Sequence, residues 1–151
     1  MPIFTQSIVI DAPVETVFGF HEQPDALSLL SPPFPPLRVV SKSGGLEVGS
    51  RVELRIGPIP WVALHTAYER DRLFVDEQVR GPFAKWVHRH EFEALGNRTR
   101  LTDRLEYRLP GGDLVNSAAS WLVAIGLRQM FDHRHRVTKE LCEALQASKP
   151  R

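Results

Sequence analysis

The sequence FAKWVHRHEFEALGNRTRLTDRLEYRL, residues 83–109, decides the fold, because two alternating segments flank a short turn. Alternation of apolar and polar residues is typical of a strand with one buried face. Gly96 and Asn97 suit a two-residue hairpin loop. A loop at these residues places His90 opposite Asp103. The same register pairs Trp86 with Tyr107, His88 with Leu105, and Phe92 with Leu101.

The two faces of this hairpin differ in charge. One face carries Lys85, Arg89, Glu91 and Glu93 against Arg100, Arg104, Glu106 and Arg108. Because so many charges cannot be buried without partners, that face must be exposed to solvent. The histidines and the aspartate therefore point inward with the aromatic and aliphatic residues. Such a mixture is more typical of a ligand pocket than of a dry core.

The inward histidines and aspartate allow three interpretations. The pair His90–Asp103 could be a structural hydrogen bond that sets the strand register. At least one of His88, His90 and Asp103 could instead contact a ligand. The two imidazoles could also bind zinc with Asp103 as a third ligand. Since no firm fourth ligand or outer hydrogen-bond partner is evident, we expect no metal and no other cofactor.

The remaining pattern predicts the other elements. Residues 3–10 alternate like a strand, and two short helices follow. The proline-rich segment SPPFPPL, residues 31–37, stops the second helix. Residues 38–79 predict four further strands. From about Leu114, apolar residues recur every three or four positions, as in a long helix.

This order predicts an α+β fold, in which a curved antiparallel sheet of six to seven strands wraps a long C-terminal helix. Both short helices lie between strands 1 and 2. We expect residues 1–151 to form a single domain, because that length is typical of one. Since one helix cannot fill a curved sheet of this size, we also expect a cavity between them.

Two arrangements of the middle strands fit the pattern. In the adopted one, the inward residues are Trp61, Ala63 and His65, with Phe74, Asp76 and Gln78 on the next strand. The alternative turns inward Val62, Leu64, Val75 and Val79.

The long helix should present its apolar stripe to the sheet. This stripe contains Ala118, Leu122, Ile125 and Met130. The segment DHRHR, residues 132–136, is interpreted as a solvated part of the helix. The predicted ligand-binding residues are Leu54, Ile56, His65, Phe74, Trp86, His88, His90, Phe92, Asp103, Leu105, Tyr107, Leu122, Ile125 and Met130.

The composition excludes several classes of protein. A net charge of +1 argues against a nucleic-acid partner or a polybasic membrane patch. The single cysteine, Cys142, excludes a disulfide framework and is interpreted as a packing residue. The N-terminal sequence lacks signal-peptide features, and the apolar run at residues 121–127 is too short for stable membrane insertion. We therefore expect a cytoplasmic monomer or homodimer.

Three segments resemble the START-like or SRPBCC superfamily, whose fold is called the helix grip. IDAPVETVFGF is similar to its opening strand-to-helix junction, and LRQMFDHRHRVTKEL to its C-terminal helix. FVDEQVRGPFAKWVHRHEFE, followed by NRTRLTDRLEYRLPGG, resembles an uncharacterised bacterial ligand-binding subgroup related to polyketide cyclase/dehydrase proteins. The resemblance covers essentially the whole chain and implies a deep cavity between the sheet and the long helix. Members bind, carry or cyclise hydrophobic molecules.

Two functions follow from these observations, and whether the protein is an enzyme stays open. The first is binding of a small hydrophobic or aromatic molecule, in a carrier, sensor or storage role. The second is a cyclase, aromatase or dehydratase activity, with His90 and Asp103 as candidate catalytic residues that form a general base. A weaker third is an interaction protein whose own side chains fill the cavity. Strong catalytic motifs are absent from the sequence.

Overall fold

The computed structural model describes residues 2–33 and 35–149. Its strands in this part of the chain form one antiparallel sheet in the order β1-β7-β6-β5-β4-β3-β2. The predicted fold class is confirmed: a curved antiparallel sheet, a long C-terminal helix, and two short helices between strands 1 and 2. The elements are β1 (Ile3–Ile10), α1 (Val14–His21), α2 (Ala26–Leu30), β2 (Leu37–Ser43), β3 (Arg51–Ile56), β4 (Ile59–Glu69), β5 (Leu73–Arg80), β6 (Lys85–Leu95), β7 (Arg98–Arg108) and α3 (Gly112–Ala147).

The hairpin of β6 and β7 has the predicted loop and register. β6 ends at Leu95 and β7 begins at Arg98, with Gly96 at a positive φ of 64° that glycine adopts without strain. His90 pairs with Asp103, and both are buried. The inward orientation deduced from the charged outer face is therefore confirmed.

The middle strands adopt the first of the two predicted arrangements. Trp61, Ala63 and His65 face the helix side, together with Phe74 and Asp76. A register shift follows His65, so the inward alternation of β4 is interrupted there. Gln78 does not line the cavity: its side-chain amide hydrogen-bonds the backbone of Phe83 in both directions, at 2.7 and 3.2 Å. This side chain fixes the loop between β5 and β6.

The predicted inward face of α3 is wrong in its N-terminal half. Leu122 and Ile125 are exposed to 60% and 49%, and Ala118 is exposed as well. Of the four residues predicted to face the sheet, Met130 alone lies on the cavity side, where it is half-buried.

The physical reason is that the inward stripe of α3 is partly polar. Successive helix residues are turned by about 100°, so Leu122 cannot share the face of Val123 and Leu127. Continuing the face of these two residues at intervals of three or four reaches Phe131, His135, Thr138 and Cys142, all of which are buried. An apolar pattern alone could not identify a stripe that contains a histidine and a threonine.

Two buried clusters hold the sheet against the helices. The first surrounds Phe18 of α1 and includes Phe92, Leu101 and Cys142. The second surrounds Phe131 of α3. Burial raises the pKa of Cys142 to about 12, so this thiol acts as a packing group. In the described residues, no helix combines the length and apolar character that crossing a membrane requires.

Candidate ligand cavity and its histidine–aspartate cluster

A cavity of about 640 Å³ lies between the sheet, α2 and α3. Its volume is within the range of small-molecule sites, about 300–1,000 Å³. Most of its wall is apolar, and its polar wall residues on the sheet include Asp76, His88 and His90. Trp61, Phe83 and Trp86 form an aromatic group in the wall: the Trp61 and Trp86 rings are 5.0 Å apart and nearly perpendicular, and Phe83 lies 4.7 Å from Trp86.

The structure brings part of the predicted ligand-binding set to the cavity wall. The residues found there are Leu54, Ile56, His65, Phe74, Trp86, His88, His90 and Met130. The predicted residues that lie elsewhere are Phe92, Asp103, Leu105, Tyr107, Leu122 and Ile125.

The residues outside the wall are separated from it for different reasons. Phe92 packs 5.0 Å from Phe18 in the first buried cluster, and Leu105 is fully buried in the second. The Tyr107 hydroxyl donates a hydrogen bond to the carbonyl of Ser120 in α3, at 3.2 Å. Alternation along a strand identifies the face of a residue but not whether a cavity or another side chain lies above it.

Asp103 lies behind the histidines and binds three of them. Its Oδ1 accepts a hydrogen bond from His88 Nε2 at 2.7 Å and lies 3.2 Å from His90 Nδ1. Its Oδ2 accepts one from His135 Nε2 at 2.6 Å. The predicted proximity of His90 and Asp103 is confirmed, but the shorter contacts of this carboxylate are to His88 and His135.

His90 lies between two carboxylates. Its Nε2 donates a hydrogen bond to Asp76 Oδ2 at 2.9 Å, while its Nδ1 faces Asp103. The imidazole is stacked between two rings, with centroids 3.7 Å from His88 and 3.9 Å from Phe74. These contacts leave the ring of His90 little freedom to rotate.

The charges of this cluster follow from burial and from the hydrogen bonds. Burial opposes the charged form of each group, but the contacts with Asp103 and Asp76 outweigh it and raise the pKa of His90. Hydrogen bonds from His135, His88 and His90 likewise hold the pKa of Asp103 well below its usual range, despite its burial. His90 lowers the pKa of Asp76 to about 2, also against the effect of burial. For His88, burial dominates and the pKa is lowered.

The pKa shifts of His88 and His90 describe a neutral imidazole beside a charged one. His88 donates its Nε2 proton to Asp103, which leaves the lone pair of a neutral ring on Nδ1. His90, held between two carboxylates, carries the proton of the cluster. His88 is therefore better suited than His90 to accept a further proton.

Sequence reasoning missed the roles of Asp76 and His135. The strand pattern predicts that Asp76 faces inward, but the predicted ligand-binding residues do not include it. The sequence pattern places His135 in a solvated helical segment, yet it is 3% exposed. A signal was available, because His135 follows the buried Phe131 by one helical turn and precedes Cys142 by two.

His65 adds a buried polar atom to the wall. It is 6% exposed, its ring lies 5.9 Å from that of Phe74, and its Nδ1 has no hydrogen-bond partner among the described residues. Buried polar groups are rarely left unpaired, so this nitrogen is suited to a bound molecule or a water. Two cationic side chains, Lys42 and Arg134, also line the cavity.

The family model described as polyketide cyclase / dehydrase and lipid transport matches residues 10–135 of this chain. A comparison with curated proteins finds no match.

Solved structures with this fold come from several bacteria. The protein TTHA0849 from Thermus thermophilus is 19% identical with a TM-score of 0.73, and the alignment covers 98% of this chain and 100% of that chain. The ZhuI aromatase/cyclase from Streptomyces sp. R1128 is 12% identical with a TM-score of 0.74, covering 94% of this chain and 93% of that chain. A nucleoside-diphosphate sugar epimerase from Corynebacterium glutamicum is 26% identical with a TM-score of 0.75, covering 91% of this chain but 28% of that chain.

Proposed function

Because the chain belongs to the polyketide cyclase/dehydrase and lipid transport family, we propose that it binds a small hydrophobic or aromatic molecule between its sheet and α3. The role is that of a carrier, sensor or store. The observation that carries the proposal is the cavity of about 640 Å³, with its largely apolar wall and few convergent polar groups.

The apolar and the polar residues of the cavity wall would contact different parts of a ligand. The aromatic group of Trp61, Phe83 and Trp86 offers ring faces and edges to a flat apolar molecule. His65 and His88 offer hydrogen bonds, which orient a ligand that carries an oxygen substituent. An aromatic molecule with a hydroxyl or carbonyl group would use both.

Native mass spectrometry of the protein purified without detergent tests this proposal. We expect a mass above that of the bare chain by one small molecule, which denaturing conditions release. Gly126 is an exposed residue of α3 that lies in the cavity wall, and nothing lies within 4 Å of a Cβ added there. Gly126→Trp should therefore place its ring in the cavity, without a clash at Cβ, and reduce the space for a ligand.

The matched control is Ala118→Trp, at an exposed position of α3 outside the cavity wall. It should retain the adduct that Gly126→Trp loses. An adduct of equal abundance in both variants would place the molecule elsewhere on the protein.

A second candidate is the cyclase or dehydratase activity, which one observation favours. His88 lines the cavity, and its Nε2 is held by Asp103, which leaves the lone pair of the neutral ring on Nδ1 without a hydrogen-bond partner among the described residues. This is the arrangement of a general base oriented by a carboxylate. The geometry around His90, with a carboxylate at each nitrogen, favours a supporting role for that residue.

The test uses a poly-β-ketone thioester mimic and follows the absorbance of an aromatic product. His88→Gln should abolish turnover while the mimic still binds, and His133→Gln, outside the cavity wall, should leave turnover unchanged. Equal product formation with wild type, His88→Gln and no protein would reject the enzymatic candidate.

A further inference from the structure

We propose that Asp76, His88 and His90 form a binding site for one divalent transition-metal ion of the zinc or ferrous type. Each residue offers one donor atom, and these atoms all lie within 4.8 Å of one another. Two imidazoles and one carboxylate are a ligand set that proteins use for zinc and for non-haem iron. The site does not depend on the proposed cavity ligand, so either proposal can fail alone.

The sheet itself assembles the ligands. The sequence His-x-His on β6 turns both imidazoles to the same face, and the β5–β6 register places Asp76 directly opposite His88. Asp76 Oδ2 is 2.9 Å from His90 Nε2. Two ligands at about 2.0–2.1 Å from one tetrahedral ion are about 3.3 Å apart, so an ion requires these atoms to separate by only a few tenths of an ångström.

The hydrogen bonds that the histidine ligands make through their other ring nitrogens are typical of a metal site. Metal-binding histidines almost always donate their other ring N–H to a carboxylate, a carbonyl or a water. Here Asp103 Oδ1 accepts from His88 Nε2 at 2.7 Å and lies 3.2 Å from His90 Nδ1. The nitrogens turned away from Asp103 are His88 Nδ1 and His90 Nε2. His135 donates to the other oxygen of the same carboxylate at 2.6 Å, which fixes its orientation.

An ion at His90 Nε2 would displace the proton that this nitrogen donates to Asp76, and that proton would leave to solvent. An ion at His88 Nδ1 would occupy the lone pair of the general base, so the metal site and the enzymatic candidate exclude each other at this residue.

This arrangement corrects the role that the sequence suggested for Asp103. The carboxylate expected as the third ligand orients the two histidines, and Asp76 on the neighbouring strand takes the ligand position. Asp76 and Asp103 together bring two carboxylates to the interior, and a divalent cation is suited to balance them.

The cavity supplies the open side of the site. Asp76, His88 and His90 all line it, so coordination positions not filled by protein face the cavity. A site with three protein ligands keeps a position for water or for an oxygen atom of a bound molecule. A cavity ligand with a carbonyl or enolate oxygen would complete the coordination.

Cobalt binding tests the proposal, because Co²⁺ replaces zinc in such sites and absorbs visible light. The full chain is dialysed against a chelator and titrated with Co²⁺, and bound metal is counted after equilibrium dialysis. We expect one ion per chain, a visible absorption band, and displacement by Zn²⁺. Asp76→Asn and His90→Gln should weaken binding at least 100-fold, and Asp103→Asn about 10–100-fold, as loss of an outer partner does.

His133→Gln on α3 is the matched control and should bind as wild type, because His133 is outside the cavity wall. If the site variants fail to fold, the histidine side-chain NMR signals of the wild-type protein provide a second test. Zn²⁺ should shift the signals of His88 and His90 and leave that of His133 unchanged. Substoichiometric cobalt without a visible band, or equal affinity in Asp76→Asn and wild type, would overturn the proposal.

Discussion

The two halves of α3 distribute apolar and polar residues in opposite ways. Before Gly126, Trp121 and Leu122 are exposed to 62% and 60%. After it, His135 and Thr138 are exposed to only 3% and 1%. Hydrophobicity alone would predict the reverse.

The difference follows from what each half faces. The C-terminal half hydrogen-bonds β1 and α1, and His135 has a specific partner in Asp103. The middle of the helix covers the cavity. A polar residue can be buried where a partner is provided, whereas an apolar residue cannot be buried where no side chains pack against it.

The largest expected effect is the difference in unfolding free energy between two separate variants, each of which truncates one residue in one half of α3. Phe131 is fully buried and stacks on Phe4 at 5.5 Å, so Phe131→Ala should lower the free energy of unfolding by about 3–5 kcal/mol. Leu122→Ala should change it by no more than about 0.5 kcal/mol. Urea denaturation of both variants measures the contrast. Similar losses in the two would show that the N-terminal half is packed as tightly as the other.

The next effect concerns the buried polar contacts. Asp103→Asn removes the charge to which three histidines bind, and hydrogen bonds to charged groups contribute about 1.5–3 kcal/mol, so we expect a loss in that range. The control is Asp132→Asn on the exposed side of α3, where the carboxylate binds only Gln6 among the described residues. It should cost less than about 1 kcal/mol.

Ligand binding separates two roles for Asp103. If the aspartate is structural, folded Asp103→Asn should bind a cavity ligand as wild type does. If it supports the site through its histidines, affinity should fall although the fold is intact. Stability equal to wild type would contradict the structural role, and affinity equal to wild type would contradict the supporting role.

A smaller effect is expected for His21, a buried histidine of α1 that can be compared with the buried polar residues of α3. Burial, as the dominant cause, lowers the pKa of His21 to about 4, although the Val17 carbonyl and Asp103 favour its charged form; the charges of His90 and Arg134 lower it further. The unfolded chain takes up a proton near pH 6.5, so the stabilisation is complete above that pH. It is lost as pH falls towards 4, and the loss reaches about 2 kcal/mol by about pH 5.

The check is the unfolding free energy at several pH values for wild type and His21→Phe. Within that interval, stability should fall less steeply with decreasing pH in the variant, which lacks this titrating group. Parallel curves for the two proteins would mean that His21 is protonated as easily in the folded protein as in the unfolded one.

The hairpin and the helix differ in how far the sequence determines them. A two-residue loop at Gly96 and Asn97 leaves one register, and the charged outer face leaves one orientation, so the position of His90 opposite Asp103 could be predicted. The existence of α3 followed from the recurrence of apolar residues at every third or fourth position. Its inward face did not, because recognising His135 as buried requires knowing that Asp103 lies across from it.

For the cavity wall, the sequence predicts which side of the sheet a residue faces, but not whether other side chains separate that residue from the cavity. His65, His88 and His90 were expected inward, and they line the cavity. Asp103 and Leu105 share that inward face, yet other side chains cover them. Depth depends on how far the helix stands from the sheet, which is a property of the packed molecule.

Fluorescence titration with 1-anilinonaphthalene-8-sulfonate, an apolar aromatic dye, tests the ligand cavity most directly. We expect one dye per wild-type chain, roughly tenfold or greater weakening of binding in Gly126→Trp, and unchanged binding in Ala118→Trp. Ala118 lies among the exposed apolar residues of α3, so this variant reports binding to that surface. Unchanged affinity in Gly126→Trp with altered affinity in Ala118→Trp would place the dye on the surface of α3 and contradict a ligand site between the sheet and α3.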